Sequence, residues 1–310
     1  MAPPSLEYIA HAPPSHYTLA FVPFLYNQKS FLELKNYSTQ SFYAVDHERQ
    51  TVIARIHFAI QIYLDGQKQA ISLPESPFGS LEGAVLWPIE QILAFVNYVT
   101  SALAKQDCTH VEIRHYLTSY SENAHDIARA FQHAHFVKSI SMVNHHIAVD
   151  QQGLSDKMSA GQRGKLKKCL QTGFAVGHES PEKLAEVYLF IEASYRHRQR
   201  TLSMPLPSLE KQAHTLEIFS VYDRGKRVSA CIAVRVTETI LYTFYYTALP
   251  DYQSYSPTVL LLKFIYQHCQ SNHITILDLG TSTTESVQRF KARMGGIPSL
   301  KDTFSLVLTT

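Results

Sequence analysis

Asp278 closes a short apolar run, Ile274-Thr275-Ile276-Leu277-Asp278-Leu279-Gly280, and a polar stretch, Thr281-Ser282-Thr283-Thr284-Glu285-Ser286, follows it. A carboxylate at the end of a buried strand can orient or accept a proton, directly or through water. It can equally cap the following loop through its backbone amides. Ser282, Thr283 and Thr284 face a similar choice between capping the next helix and hydrogen-bonding a substrate. Upstream, Tyr242, Tyr245 and Tyr246 stand in an aromatic run. Strand alternation places Tyr242 and Tyr246 on one face and Tyr245 on the other. A phenol there either gives a proton to a leaving group or packs.

Cations gather in two places. Arg163, Lys165, Lys167 and Lys168 form one cluster, and Tyr195, Arg196, His197, Arg198 and Arg200 form another. Each is either a grip for phosphates or a solvated helix face. In the first half, Ser76-Pro77-Phe78-Gly79-Ser80 is irregular, and Ser76 and Phe78 either shape a pocket or belong to a structural turn. The 16 histidines raise the question of a metal. His145-His146 would face opposite sides of a strand, and His133 and His135 diverge on a helix. With no HExxH and no CxxC, the expectation is no metal site. GxSxG and P-loop motifs are missing as well.

The elements that must hold these residues follow from patterning. The chain has 310 residues, 45% of them hydrophobic and 17% charged, which suits two domains with sizeable cores rather than disorder. A net charge of +2 argues against broad DNA or membrane-surface binding but leaves room for a local basic groove. Cys108, Cys169, Cys231 and Cys269 are far apart, as reduced thiols would be. The start, Met1-Ala2-Pro3-Pro4, lacks the basic and apolar regions of a signal peptide, and no apolar run is long enough for a membrane span. A cytoplasmic location is expected.

Residues 1–38 are proline-rich and read as an extended lead-in. Residues 39–150 read as one domain: strands at 41–46, 51–64 and 69–73, a helix at 88–103, a strand at 110–117, a helix at 121–135 and a strand at 137–149. Residues 151–310 read as a second. It has helices at 162–171 and 181–198, strands at 216–222, 228–236 and 239–248, and an apolar helix at 258–269. The Asp278 strand, a helix at 287–294 and a last strand at 303–308 complete it. Ser180-Pro181 supplies a helix start, and Asp65-Gly66 and Asp223-Arg224-Gly225-Lys226 are turns. The two halves echo one another, each ending in strand, Ser/Thr-rich loop, helix and strand.

The second half resembles the FemAB-like branch of the GNAT acyltransferase superfamily. Four features carry the resemblance. They are the basic segment from Arg163 to Phe174, the helix end Tyr195-Arg196-His197-Arg198, Tyr255-Ser256-Pro257 before an apolar helix, and Asp278-Leu279-Gly280 followed by Phe290-Lys291 and Gly295-Gly296. The resemblance implies two tandem GNAT-like domains, each a mixed, mostly antiparallel sheet flanked by helices, with the better-marked site in the second. It implies transfer of an acyl or aminoacyl group from a thioester or aminoacyl-tRNA to an amine by direct attack. Acyl-CoA or aminoacyl-tRNA would be the donor, and a small molecule or cell-wall precursor the acceptor.

Within that pattern Lys291 lies beside the reacting groups, where an ammonium would stabilise an oxyanion; the other reading is a solvated helix lysine. Asp278, Tyr242 and Tyr246 would handle protons. Arg163, Lys167, Tyr195, Arg198, Ser76, Phe78 and Ser282 would bind substrate. One departure matters. GNAT enzymes hold a pyrophosphate on a glycine-rich loop at a helix N-terminus, whereas Pro250-Asp251-Tyr252-Gln253-Ser254-Tyr255-Ser256-Pro257 has no glycine, and Pro257 offers no N–H. The alternative is therefore a catalytically degenerate GNAT-fold protein that binds a nucleotide-linked or small-molecule ligand.

Overall fold

The computed structural model describes residues 6–308. The Met1–Pro4 reading lies outside them. Contacts divide the chain into two compact units, one made of residues up to Met142 together with those from Leu300, the other of Val143–Ser299.

In the first unit the sheet runs in the order Glu7–Ile9, Thr39–Asp46, Thr51–Ile62, Lys68–Ile71, Cys108–Arg114, then the C-terminal part of Ile297–Val307. Neighbours are antiparallel except Lys68–Ile71 beside Cys108–Arg114. The proline-rich lead-in thus supplies an edge strand, and its Phe24 and Tyr26 are buried. The helix Ile89–Ala104 forms where the apolar spacing requires it, burying Ile92, Phe95, Val96, Val99 and Leu103. It stops before Asp107, whose φ of 61° breaks the helical path. With Phe131 it packs on Ile56, Phe58, Val111 and Ile113 around a gap of only about 10 Å³. A gap of that size and lining stays dry.

In the second unit the order is Val137–Ala148 (from Val143), Ile276–Thr281, Ile240–Ala248, Lys226–Thr237, Leu216–Asp223 and Ala175–Glu179. All neighbours are antiparallel except Ile240–Ala248 beside Ile276–Thr281. Arg224 and Gly225, both with positive φ (48° and 83°), make the tight turn between Leu216–Asp223 and Lys226–Thr237. The helix Pro257–Ser271 buries Val259, Leu261, Leu262, Ile265 and Cys269 against Phe219, Cys231, Leu241, Leu277 and Leu279. Each fully buried large aliphatic or aromatic side chain on this face contributes roughly 1.5–3 kcal/mol. The opposite face is covered by the helix Leu184–His197, whose Ser194 hydroxyl meets that of Thr247 at 2.7 Å.

Several details differ from the sequence reading. Ser180 does not cap through its side chain; its hydroxyl bonds Glu182, and the first turn, Pro181–Lys183, is 3-10. The last strands are exchanged relative to the echo between halves. Thr303–Val307 pairs with Cys108–Arg114, and Asn144–Ala148 pairs with Ile276–Thr281. Element order along a chain leaves strand partners open, because antiparallel neighbours need not be consecutive. All four cysteines are unpaired and buried. Among the described residues no helix is long and apolar enough to cross a membrane.

Candidate functional site

The parallel pair in the second unit ends abruptly. Ile240, Leu241 and Tyr242 pair with Ile276, Leu277 and Asp278, and there the ladder stops although the first strand continues to Ala248. Ligands in α/β sheets gather at such carboxyl ends of parallel strands. Asp278 is 4% exposed. Its Oδ1 accepts from Asn144 Nδ2 and from the Gly280 amide, both at 2.7 Å. The loop-capping role read from the sequence is therefore present. Gly280 has a φ of +77°, and a Cβ there would stand 3.1 Å from the Tyr242 ring. Both the backbone and the ring demand glycine.

Lys291 is not a solvated lysine. It is 2% exposed, and its Nζ donates to the carbonyls of Gly280 and Thr281, both at 2.8 Å. Burial pushes its pKa down to about 8, with the Asp278 charge pulling the other way. An ammonium has three protons, so one remains for a ligand after the two carbonyls are served. The helix Glu285–Arg293 carries it, started by Thr284, whose side chain accepts from the Val287 amide at 3.4 Å. Thr284 is thus the cap. Ser282 is buried, and its Oγ has no hydrogen-bond partner.

The tyrosines need a correction. Leu241 and Tyr246 both pack on the core beneath the helix Pro257–Ser271. Thr247 bonds Ser194 and Tyr245 bonds Ser203 and the Met204 amide on the opposite face. Tyr242 therefore lies on the face away from Tyr246, not on the same one. The cause is a bulge: Thr243 pairs with Ala233 and Tyr245 with Ile232, leaving Phe244 as the extra residue. Burial, with the Asp278 charge, raises the Tyr242 phenol above its ordinary range; burial does the same to Tyr246. Both are protonated at neutral pH. Tyr195, 6.0 Å from the Tyr245 ring, is likewise raised by burial.

A cavity of about 470 Å³ lies at the end of the parted strands, a volume suited to a cofactor or small ligand. Tyr246, Lys165, Arg198, Ser256, Ser286 and Phe290 are among its walls, so it reaches the helix N-terminus at Pro257 and the neighbour of Lys291. Arg198 also donates to the Ala248 carbonyl at 2.9 Å. Of the first basic cluster, Lys165 lines this cavity. Arg163 instead donates to the Met158 carbonyl at 2.5 Å, and Lys167 points into solvent. Gln162, Leu166 and Cys169 are the buried face of the helix Ala160–Leu170, and this docking decides which lysine faces the cavity. Where the glycine loop would stand, Pro250–Tyr255 forms a 3-10 turn and Ser256 takes the left-handed conformation (φ 56°).

Ser76 and Phe78 belong to the first unit and are buried. The Phe78 ring packs among Phe24, Tyr26, Tyr116 and Tyr120 at 5.0–5.8 Å. This is the structural-turn reading rather than an open pocket. Gly79 and Gly83 fit it, because a Cβ would strike Leu73 at 2.6 Å and Trp87 at 2.8 Å. No spacing or motif points to Asn144, the donor that fixes Asp278 from 134 residues away.

Residues 158–292 match the family described as acetyltransferase (GNAT) domain. No curated protein matches the chain in sequence. Among solved structures, FemX superposes with a TM-score of 0.71 at 12% identity, covering 93% of this chain and 94% of FemX. A tandem GNAT protein from the clavulanic acid biosynthesis pathway gives 0.53 at 11%, covering 99% of each chain. L-PGS from Bacillus licheniformis gives 0.56 at 14%, covering 91% of this chain and 92% of that one. The chain thus has the tandem GNAT-like α/β fold, with the GNAT domain match falling in its second unit.

Proposed function

We propose that the second unit transfers an acyl or aminoacyl group to an amine, by direct attack on a thioester or on an aminoacyl-tRNA ester. The observation that carries this reading is Lys291, a buried ammonium fixed by two carbonyls where the parallel strands part. In the tetrahedral intermediate the carbonyl oxygen becomes negative, and the remaining Lys291 proton would meet it. A lysine with a pKa near 8 is still mostly protonated at pH 7. Tyr246, neutral and on the cavity wall, gives its proton to the departing thiolate or ribose oxygen, and the proton shed by the attacking amine passes through water to restore the phenol. Asp278 holds the Gly280 loop that presents the carbonyls to Lys291, and its charge favours the ammonium. Tyr242 packs against that loop and keeps it in place. Lys165, Arg198 and the N-terminus of Pro257–Ser271 hold donor phosphates. Arg163, Lys167 and Tyr195 would extend this grip along a longer donor such as a tRNA acceptor stem, and Ser282 would meet the acceptor.

The glycine-free loop favours a second reading, a binding protein that has kept the fold without the chemistry, since Pro257 offers no N–H to a phosphate. Thermal-shift measurements with acetyl-CoA, longer acyl-CoAs, aminoacyl-tRNA and nucleotide-linked sugars separate the two. Stabilisation by an acyl donor, followed by product formation with an amine, supports transfer. Stabilisation by a nucleotide-linked sugar alone supports the second reading, and stabilisation by none removes the donor assignment.

A further inference from the structure

His178, Glu217 and His268 come from an edge strand, the strand beside it and the last turns of the helix Pro257–Ser271. Their ligand atoms all lie within 4.8 Å of one another. Glu217 Oε2 is 3.7 Å from His178 Nε2 and in direct contact with His268 Nε2. On a tetrahedral ion with bonds of about 2.0–2.2 Å, ligand atoms stand roughly 3.3 Å apart. The group therefore needs only small side-chain shifts to close on one.

The surroundings hold the three groups in place. The His178 ring stacks on Phe219 (4.9 Å, 26°), and His268 meets the same ring edge-on (5.1 Å, 73°). Arg235 Nε donates to Glu217 Oε1 at 2.7 Å, so the other oxygen, Oε2, is turned to both imidazoles. An outer partner that orients a ligating carboxylate in this way is a regular part of metal sites. The His178 side chain is 45% exposed, so an ion enters from solvent and a water completes its shell.

We propose that His178, Glu217 and His268 form a zinc site. Two imidazoles and one carboxylate suit Zn²⁺ and discriminate against Mg²⁺ and Ca²⁺, which prefer oxygen ligands throughout. The ion ties the edge strand Ala175–Glu179 to the sheet and to the helix. His268 lies about three turns beyond Pro257, roughly 16 Å along the helix. The site is therefore separate from the cavity at Pro257 and independent of the acyl-transfer reading.

The test is calorimetric titration of the untagged, EDTA-treated chain with ZnCl2, with melting temperatures measured in parallel. The expected result is one saturable equivalent with a raised melting temperature. Affinity should fall by more than about tenfold in both His178→Gln and His268→Gln. The His178 position is exposed, so that variant folds normally and tests the ligand role by itself. Millimolar MgCl2 should leave the melting temperature unchanged. Absence of saturable binding, equal affinity in the two variants and wild type, or equal stabilisation by Mg²⁺ would overturn the site.

Discussion

Each unit buries a cation, and the two are treated differently. In the first, Arg55 Nε meets Glu82 Oε2 at 2.8 Å with both side chains almost fully buried, and Glu82 Oε1 accepts from the Phe24 amide at 2.6 Å. Charge answers charge, the Phe21 ring centre lies 5.7 Å from the Arg55 guanidinium carbon, and a packing gap elsewhere in the unit is only about 10 Å³. In the second, Lys291 is held by two neutral carbonyls, keeps a proton available, and its neighbour Phe290 walls a cavity of about 470 Å³. A matched buried pair is costly to break, because losing one partner leaves the other charge buried and uncompensated. A buried ammonium held by carbonyls is the arrangement that the proposed transfer needs for charge appearing only during a reaction. The difference separates a unit whose buried cation is matched by a carboxylate from one whose buried cation is held by carbonyls next to a cavity wall.

Substituting the two cations sharpens this contrast. Lys291→Met should lower turnover by about 10²–10³-fold with the donor identified by thermal shift, while the chain stays folded. Arg55→Met should do the reverse. It leaves a buried carboxylate unpaired and costs roughly 3–5 kcal/mol of stability in denaturant unfolding, with turnover per folded molecule unchanged. If the two variants behaved alike, the contrast would be lost. Gly280→Ala comes next. The left-handed backbone and the Tyr242 ring should together cost about 1–2 kcal/mol, with a loss of turnover as the carbonyls holding Lys291 shift.

The pH dependence follows from the same lysine. Its folded pKa, about 8, lies below the ordinary value of 10.5. Between these values the unfolded chain holds a proton that the native chain has lost, so stability rises with pH across this window. The burial penalty is fully present below about pH 8. Turnover moves the opposite way, falling as pH passes about 8 and the ammonium is lost. Lys291→Met should show neither trend in pH-dependent unfolding or in a rate profile. The smallest effect belongs to Lys165→Gln, a few-fold rise in KM that shrinks at high salt, because an exposed cation on a phosphate is strongly screened.

Much of the fold was legible in sequence because periodicity reports burial. Leu184, Val187, Tyr188 and Ile191 marked the helix Leu184–His197, and the same residues are its buried face. Asp223-Arg224-Gly225-Lys226 marked its turn because few residues tolerate two positive φ values in a row. The site was less legible, for three physical reasons. Lys291 sits in a helix with Glu285, Arg289 and Arg293, and nothing local says that one of these charges is buried; the docking of the whole helix decides it. Strict alternation misplaced Tyr242 relative to Tyr246 because one extra residue, Phe244, reverses the faces. Asn144 beside Asp278, and His178, Glu217 and His268 together, are meetings of distant segments that spacing along the chain does not encode.

The proposed transfer rests on Lys291 being a buried ammonium with a lowered pKa. That property can be tested without knowing any substrate. The chain is labelled with ¹³C at lysine Cε, the Lys291 signal is assigned by its loss in Lys291→Met, and its shift is followed with pH. The expected midpoint is near 8, well apart from the exposed lysines. A midpoint at 10 or above, together with those lysines, would contradict it.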